Sequence, residues 1–231
     1  MALKLYDLCG EDRDLRFSPY CWRAKMALAH KGLAFKTVPT PFTRIGEIEP
    51  GRAKTVPILQ DETGRIHDSF EIALHLEAAW PDRPPLFGGE AGVAAARFVE
   101  SWAFTTLHPL ILSMIVKDIH DSLAEADRAY FRASREARFG RKLEEVQEGV
   151  PALAGALAKA LEPARRRLQS HAWLGGPEPL FVDYIVFGTL MWLTAIHGRL
   201  PLEAGDAVVS WFERCLDLHG GFARQAPRRA A

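Results

Sequence analysis

The feature that most limits the fold is a change of periodicity across a hinge rich in proline and glycine. "PDRPPLFGGEAG" (81–92) carries three prolines and three glycines. Before it, short strand-like and helix-like segments alternate. After it, every periodic segment is helical. A chain with that break divides into a small α/β unit and an all-helical unit, each burying its own apolar faces. The expected boundaries are 1–82 and 90–231.

In the first unit "LKLYDL" (3–8) alternates apolar and polar side chains, as a half-buried strand does. "PYCWRAKMALAHKG" (19–32) sets Trp22, Met26 and Ala29 on one helical stripe. Pro19 suits its first turn and Gly32 its stop. "AFKTVP" (34–39) reads as a second strand, and "TVPILQDETGRIHD" (55–68) as two strands joined at Thr63-Gly64. "SFEIALHLEAAW" (69–80) closes the unit as a helix ended by Pro81. The second unit reads as helices over 93–119, 124–147, 152–170, 181–197 and 207–218. "VDYIVFGTLMWLTAI" (182–196) is apolar nearly all round, which marks a buried spine. The tail "HGGFARQAPRRAA" (219–231) reads as disordered.

Composition excludes several classes of function. Lys+Arg 29 balance Asp+Glu 29, so no net field recruits nucleic acid or an anionic membrane. No run approaches about 18 uninterrupted apolar residues, so no bilayer span is expected. "MALKLYDLCGEDRD" turns acidic before a signal peptide's apolar region forms, and a cytoplasmic location is expected. Cys9, Cys21 and Cys215 are too few and too scattered for a disulfide framework or a zinc site. No metal is expected.

The chemistry-bearing stretch is "FSPYCW" (17–22). It has the layout of a C-P-Y-C dithiol at a helix start, with Ser18 in place of the nucleophilic first cysteine. Backbone N–H groups at a helix N-terminus are unpaired and partly positive, and so stabilise a thiolate. Ser18 cannot be a redox nucleophile, yet its hydroxyl can donate to a thiolate brought from outside. A hydrogen bond to a charged group contributes about 1.5–3 kcal/mol. That lowers a thiol pKa of about 8.5 by roughly one or two units. Read without a ligand, Ser18 is an ordinary cap before Pro19. Two further places carry the same double reading. Val56-Pro57 enters a strand where proline cannot donate to the ladder, and a cis bond there would turn the backbone of Val56 outward. Asp68-Ser69 stands where a strand meets a helix, fit either to cap it or to hold a ligand's carboxylate and ammonium.

In this order and spacing, Ser18-Pro19-Tyr20-Cys21, Val56-Pro57 and Asp68-Ser69, with "WLGGPEPLFVDYIVFG" (173–188), resemble the glutathione transferases over nearly the whole chain. The resemblance implies a thioredoxin-like N-terminal domain followed by an all-helical C-terminal domain. It implies glutathione as co-substrate, its sulfur activated by Ser18. Val56 would pair with the cysteinyl unit, Pro57 would be cis, and Asp68 and Ser69 would bind the γ-glutamyl end. Lys54 lies where a cation would meet the glycine carboxylate. The acceptor pocket would be walled by Phe17 and by Trp102, Thr105 and His108 on the first helix of the second domain. A homodimer is implied as well.

"FSPYCWRAKMALAHKGL" and "VPILQDETGRIHDSFEIALHLEAAWPDRPPLF" further resemble the bacterial β-etherase and fungal ether-lyase-like branch, which cleaves β-aryl ethers. A small aromatic electrophile is the acceptor expected from that likeness. A glutathione-dependent isomerase, a dehalogenase, or a non-catalytic binder of glutathione or aromatic ligands would use the same site. One departure stands out: relatives carry Ser, Thr or Asn three residues before the helix Asp of the second domain, and here Asp183 is preceded by Leu180. Half of a reciprocal capping box is therefore absent, at an expected cost of about 1 kcal/mol. Cys21 and Cys215 read as small buried hydrophobes, and Cys9 is placed to face the loop.

Overall fold

The computed structural model describes residues 3–229. Strand β1 (Leu3–Leu8) leads through the loop 9–18 into α1 (Pro19–His30) and β2 (Phe35–Thr40). The stretch after β2, which carries no strand or helix pattern in the sequence, holds a short 3₁₀ turn (Phe42–Arg44) and α2 (Ile45–Ile48). Strands β3 (Ile58–Gln60) and β4 (Arg65–His67) and helix α3 (Ser69–Ala79) complete the unit. The sheet order is β2-β1-β3-β4, with β1 parallel to β2 and the other pairs antiparallel. Strand β1 lies between β2 and β3, with Leu3 and Leu5 buried on one face and Leu8 on the other. Helices α1 and α3 pack on each other and on the sheet.

The second unit is helical, as its periodicity requires. Helix α4 (Glu90–Trp102) passes through a π turn (Ala103–Leu107) into α5 (His108–Asp121), making one continuous rod. That rod is long and apolar enough to cross a bilayer by length and composition. In this fold its apolar face packs on α7, α8 and α10 instead. The helix expected over 124–147 is two: α6 (Glu125–Phe139) stops at Gly140, whose φ of 65° is left-handed, and α7 (Leu143–Gln147) follows. The helix expected over 152–170 also divides, into α8 (Val150–Ala160) and α9 (Glu162–Leu168). Pro163 starts the second piece because its ring cannot continue the first. Helix α10 (Phe181–His197) is the buried spine, and α11 (Ala207–Gly221) ends in a left-handed turn at His219 and Gly220.

The tail corrects the reading of disorder. Phe222 stacks on Trp22 with ring centroids 6.0 Å apart, and Ala223 is buried. The Arg229 amide donates to the Ala195 carbonyl at 2.8 Å, while its guanidinium meets Asp118 at 2.6 Å. Residues 230–231 lie outside the described residues. An aromatic ring with a buried partner waiting for it offsets the entropy of ordering a short tail.

Asp183 shows how the missing half of the capping box is replaced. Leu180 has no oxygen to return the bond, but its amide donates to Asp183 Oδ2 at 3.0 Å. The same carboxylate accepts from Leu174 N at 2.8 Å, Gly175 N at 2.9 Å and Trp211 Nε1 at 2.9 Å. One buried carboxylate thus ties the 174–175 loop to α10 and α11. Its pKa is raised because burial outweighs these four donors.

The two units meet where α1 lies along α10. Gly188 permits this: a Cβ there would stand 2.5 Å from the Pro19 carbonyl oxygen. Two imidazoles line the seam, His108 buried and His30 half-buried. His108 Nε2 lies 3.0 Å from Thr189 Oγ1, whose own proton goes to the Ile185 carbonyl at 2.9 Å. The Arg23 Nη2, a donor only, bonds the same Nε2 from 3.4 Å, and Nδ1 lies 3.3 Å from the Tyr20 hydroxyl. Burial, with the Arg23 guanidinium 3.4 Å away, pulls the His108 pKa down to about 3. His30 Nε2 faces the Pro85 carbonyl at 3.0 Å and so must donate. Its Nδ1 then accepts from Tyr184 Oη at 2.7 Å, and that oxygen accepts from His219 Nε2 at 3.1 Å.

Two outcomes follow. Asp183→Ala leaves four buried donors unpaired and is expected to lower stability by about 3–5 kcal/mol, read as a fall in the denaturant midpoint. His108 takes up a proton near pH 6.5 when unfolded and near pH 3 when folded, so stability falls as pH drops through that window. Its share of the slope is about 1.4 kcal/mol per pH unit. Equilibrium unfolding between pH 6.5 and 4 should lose about one proton of pH dependence in His108→Gln.

Candidate functional site

Strand register decides which residues share an edge. Ile58 pairs with Tyr6 on one side and with His67 on the other. Continuing that register by two residues places Val56 level with Leu8 and with Ser69. The loop carrying Ser18 leaves the same end of β1. Ser18, Val56, Pro57, Asp68 and Ser69 therefore gather at the C-terminal edge of β1, where open α/β sheets receive ligands.

Ser18 is the N-cap of α1, with extended backbone, and is 4 % exposed. The amide of Cys21 donates to Ser18 Oγ at 3.3 Å. An oxygen that accepts in this way still has its own proton to donate. No acidic side chain stands in the first turn of α1, so the positive end of the helix is uncompensated there. The Val56-Pro57 bond is cis, and β3 begins only at Ile58, leaving Val56 outside the ladder.

Asp68 has φ of 71°, an unusual backbone for a residue with a side chain. Its Oδ1 accepts from Phe70 N at 2.7 Å and Glu71 N at 3.2 Å, capping α3. Ser69 is fully buried, and among the described residues its hydroxyl has no hydrogen-bond partner. Buried hydroxyls are ordinarily paired, so this one is free to bond a ligand at the edge. Lys54 is exposed on the crossing before Val56. His67 fixes that crossing by bonding Glu49 at 2.8 Å, which holds the Glu49 carboxyl below its usual range.

The three cysteines are free and buried. Burial pushes the thiols of Cys21 and Cys215 well up and that of Cys9 up, which leaves them neutral and poor nucleophiles.

On the acceptor side the expected residues occupy separate environments. Phe17 is buried, its ring 6.5 Å from Phe42. Trp102 faces an apolar cavity of about 370 Å³ shared with Phe87, Val99, Leu174 and Leu180, whose lining includes none of the edge residues above. Thr105 is exposed, and its hydroxyl donates to the Ser101 carbonyl at 2.7 Å. His108 sits inside the interdomain seam. The π turn accounts for the dispersal: one extra residue per turn shifts the helical phase between Trp102 and His108.

Beneath the site lies a buried ion cluster that the sequence did not signal. Asp7 is fully buried, 3.0 Å from Lys25 Nζ and 3.6 Å from Arg16 Nη1. Lys25 also lies over the Trp22 ring, 3.4 Å from its centroid, and the Trp22 indole donates to the Arg16 carbonyl at 2.8 Å. These contacts moor the loop two residues ahead of Ser18.

Comparison with known proteins agrees with this architecture. The family model described as "Glutathione S-transferase, N-terminal domain" matches residues 17–79, and "Glutathione S-transferase, C-terminal domain" matches 94–215. A glutathione S-transferase-like protein of Aspergillus flavus, ustS, is 27% identical over 216 residues, covering 80% of this chain and 76% of that one. The crystal structure of glutathione transferase GSTFuA3 from Phanerochaete chrysosporium is 26% identical with a TM-score of 0.77, covering 97% of this chain and 96% of that one. Likeness of fold extends to a glutathione S-transferase of Ceriporiopsis subvermispora solved in complex with glutathione, at TM-score 0.78 and 22% identity over 96% and 99% of the two chains. With both domain models matched in order on a thioredoxin-like sheet and a helical second unit, the chain belongs to the glutathione S-transferase family.

Proposed function

We propose that the chain binds glutathione at the C-terminal edge of β1 and uses Ser18 to stabilise its thiolate for attack on a small aromatic electrophile. The observation that carries the reading is the shared edge itself, to which the register brings a capping serine with a proton to donate and a buried Ser69 hydroxyl without a partner among the described residues. In this reading Ser69 bonds the γ-glutamyl carboxylate. Asp68, with Oδ1 engaged in capping, offers Oδ2 to the γ-glutamyl ammonium. Its positive φ is a strain of roughly 1–3 kcal/mol of the kind kept at ligand sites. Val56 supplies backbone groups to the cysteinyl unit beside Pro57, and Lys54 meets the glycine carboxylate. A relative solved with glutathione supports the choice of ligand.

The chemistry is substitution. The thiolate sulfur forms a bond to the carbon bearing a leaving group, and that group departs with the electron pair. For a β-aryl ether the C–O bond breaks and a phenolate leaves, to be protonated by water. Ser18 and the α1 N-terminus lower the thiol pKa and so raise the ionised fraction at neutral pH. The protein is proposed to act as a homodimer.

The test is turnover of a β-aryl ether and of 1-chloro-2,4-dinitrobenzene with glutathione, in wild type and Ser18→Ala. Loss of one hydrogen bond to a charged sulfur is expected to lower kcat/KM by about 10- to 100-fold. Undiminished rates on every active acceptor would falsify the assignment of Ser18. Turnover of the nitroarene without the ether would confine the activity to conjugation.

A further inference from the structure

At the corner between α5 and α6 the helical domain also meets the loops that flank the site. There Ser122, which closes α5, accepts from the Glu11 amide at 2.8 Å, and Arg128 meets the Glu11 carboxylate at 3.3 Å. This grips the loop that carries Ser18. One residue before Arg128, Asp127 grips the opposite wall. Its carboxylate is 1 % exposed and accepts from Phe42 N at 2.7 Å, Thr43 N at 2.9 Å and Thr43 Oγ1 at 2.7 Å.

These are the free amides of the 42–44 turn, which Pro41, its own N-cap residue, cannot satisfy with a side chain. A turn in the first domain thus takes its cap from the second. The result is an aromatic wall. The Phe42 ring stands 6.5 Å from Phe17, the neighbour of Ser18, 5.6 Å from Phe131 and 6.3 Å from Tyr130. Phe17 and Phe131 are buried, while Tyr130 is 52 % exposed, so the cluster runs from beside Ser18 to the surface. The Arg135 guanidinium lies 4.6 Å from the Phe131 centroid and 5.6 Å from that of Phe42, securing the outer side.

We propose that Asp127 is a positioning residue for the aromatic acceptor: by capping the 42–44 turn it holds Phe42, with Tyr130, as the wall against which the acceptor ring packs next to the sulfur. The proposal rests on the reading that the glutathione thiolate forms at Ser18. Glutathione's own contacts do not depend on the clasp that Asp127 makes on the 42–44 turn. Ser18 is set by α1 against α10, Ser69 by the strand register, and the crossing to Val56 by the Glu49–His67 bond. The clasp therefore acts on acceptor recognition alone.

The test compares an aromatic acceptor, 1-chloro-2,4-dinitrobenzene, with a non-aromatic one, iodomethane, by halide release at saturating glutathione. In Asp127→Ala and Phe42→Leu the KM for the nitroarene should rise about tenfold, the loss of one ring contact and its support. The KM for glutathione and the rate with iodomethane should stay within about twofold of wild type. Thr43→Val, which removes one of the three donors, should give a smaller shift in the same direction and covers the case in which Asp127→Ala fails to fold. Equal losses on both acceptors, or none on either, overturn the proposal. If Phe42→Leu is selective while Ser18→Ala retains full rates, the wall stands and the Ser18 assignment falls. A wild type that binds glutathione but turns over neither acceptor overturns both.

Discussion

The close passage of α1 over α10 is the constraint on which the molecule depends. Gly188 lies in a helix whose other residues around it are buried side chains, and its missing Cβ is what lets the Pro19 carbonyl approach. Pro19 follows Ser18 directly, so the spine of the helical domain fixes the height at which the capping hydroxyl stands above the sheet. Most polar groups of the seam are paired, and among the described residues the buried Arg23 Nε is left without a partner. His108 bonds Thr189, Arg23 and Tyr20, His30 bonds Pro85 and Tyr184, and burial holds the pKa of both rings down. A seam with so little slack makes the two domains one catalytic frame.

From that frame the site follows by strand register. Strand β1 carries the loop to Ser18, β3 begins just after Val56, and β4 ends just before Asp68 and Ser69. Three separate sequence stretches reach one edge because antiparallel pairing about Ile58 leaves no other place for them. The edge collects amides and hydroxyls but no protein thiol that can ionise, since burial keeps every cysteine neutral. A site built this way suits an anion delivered by a ligand.

Local chemistry made the first domain legible. A serine before a first-turn proline, a proline entering a strand and Asp-Ser at a helix start each carry a meaning within two or three residues. The strands and the two long helices of residues 3–79 fell where alternation and caps placed them, while the 42–44 turn and α2 carried no such mark. Legibility failed where distant residues decide. Gly140 and Pro163 break helices that the apolar periodicity alone runs together. Phe222 is ordered because Trp22, at the other end of the chain, receives it. Asp127 has the signature of an acidic residue in a helix's first turn, while its partners lie in the other domain. Trp102, Thr105 and His108 sit on one rod in sequence, yet a π turn gives them three different surroundings. Asp183 lacks a capping partner at Leu180 and gains two donors from the 174–175 loop and one from Trp211 of α11, whose approach no local pattern encodes.

The most direct measurement is an ultraviolet titration of the thiolate in the binary complex with glutathione, for wild type and for Ser18→Ala. A serine that donates to the bound sulfur should place the thiol pKa about one to two units below the free value of about 8.5 in wild type, and its removal should bring it back up. Saturable binding with the same, unshifted thiol pKa in both proteins would contradict the claim that the start of the first helix exists to hold a borrowed sulfur anion.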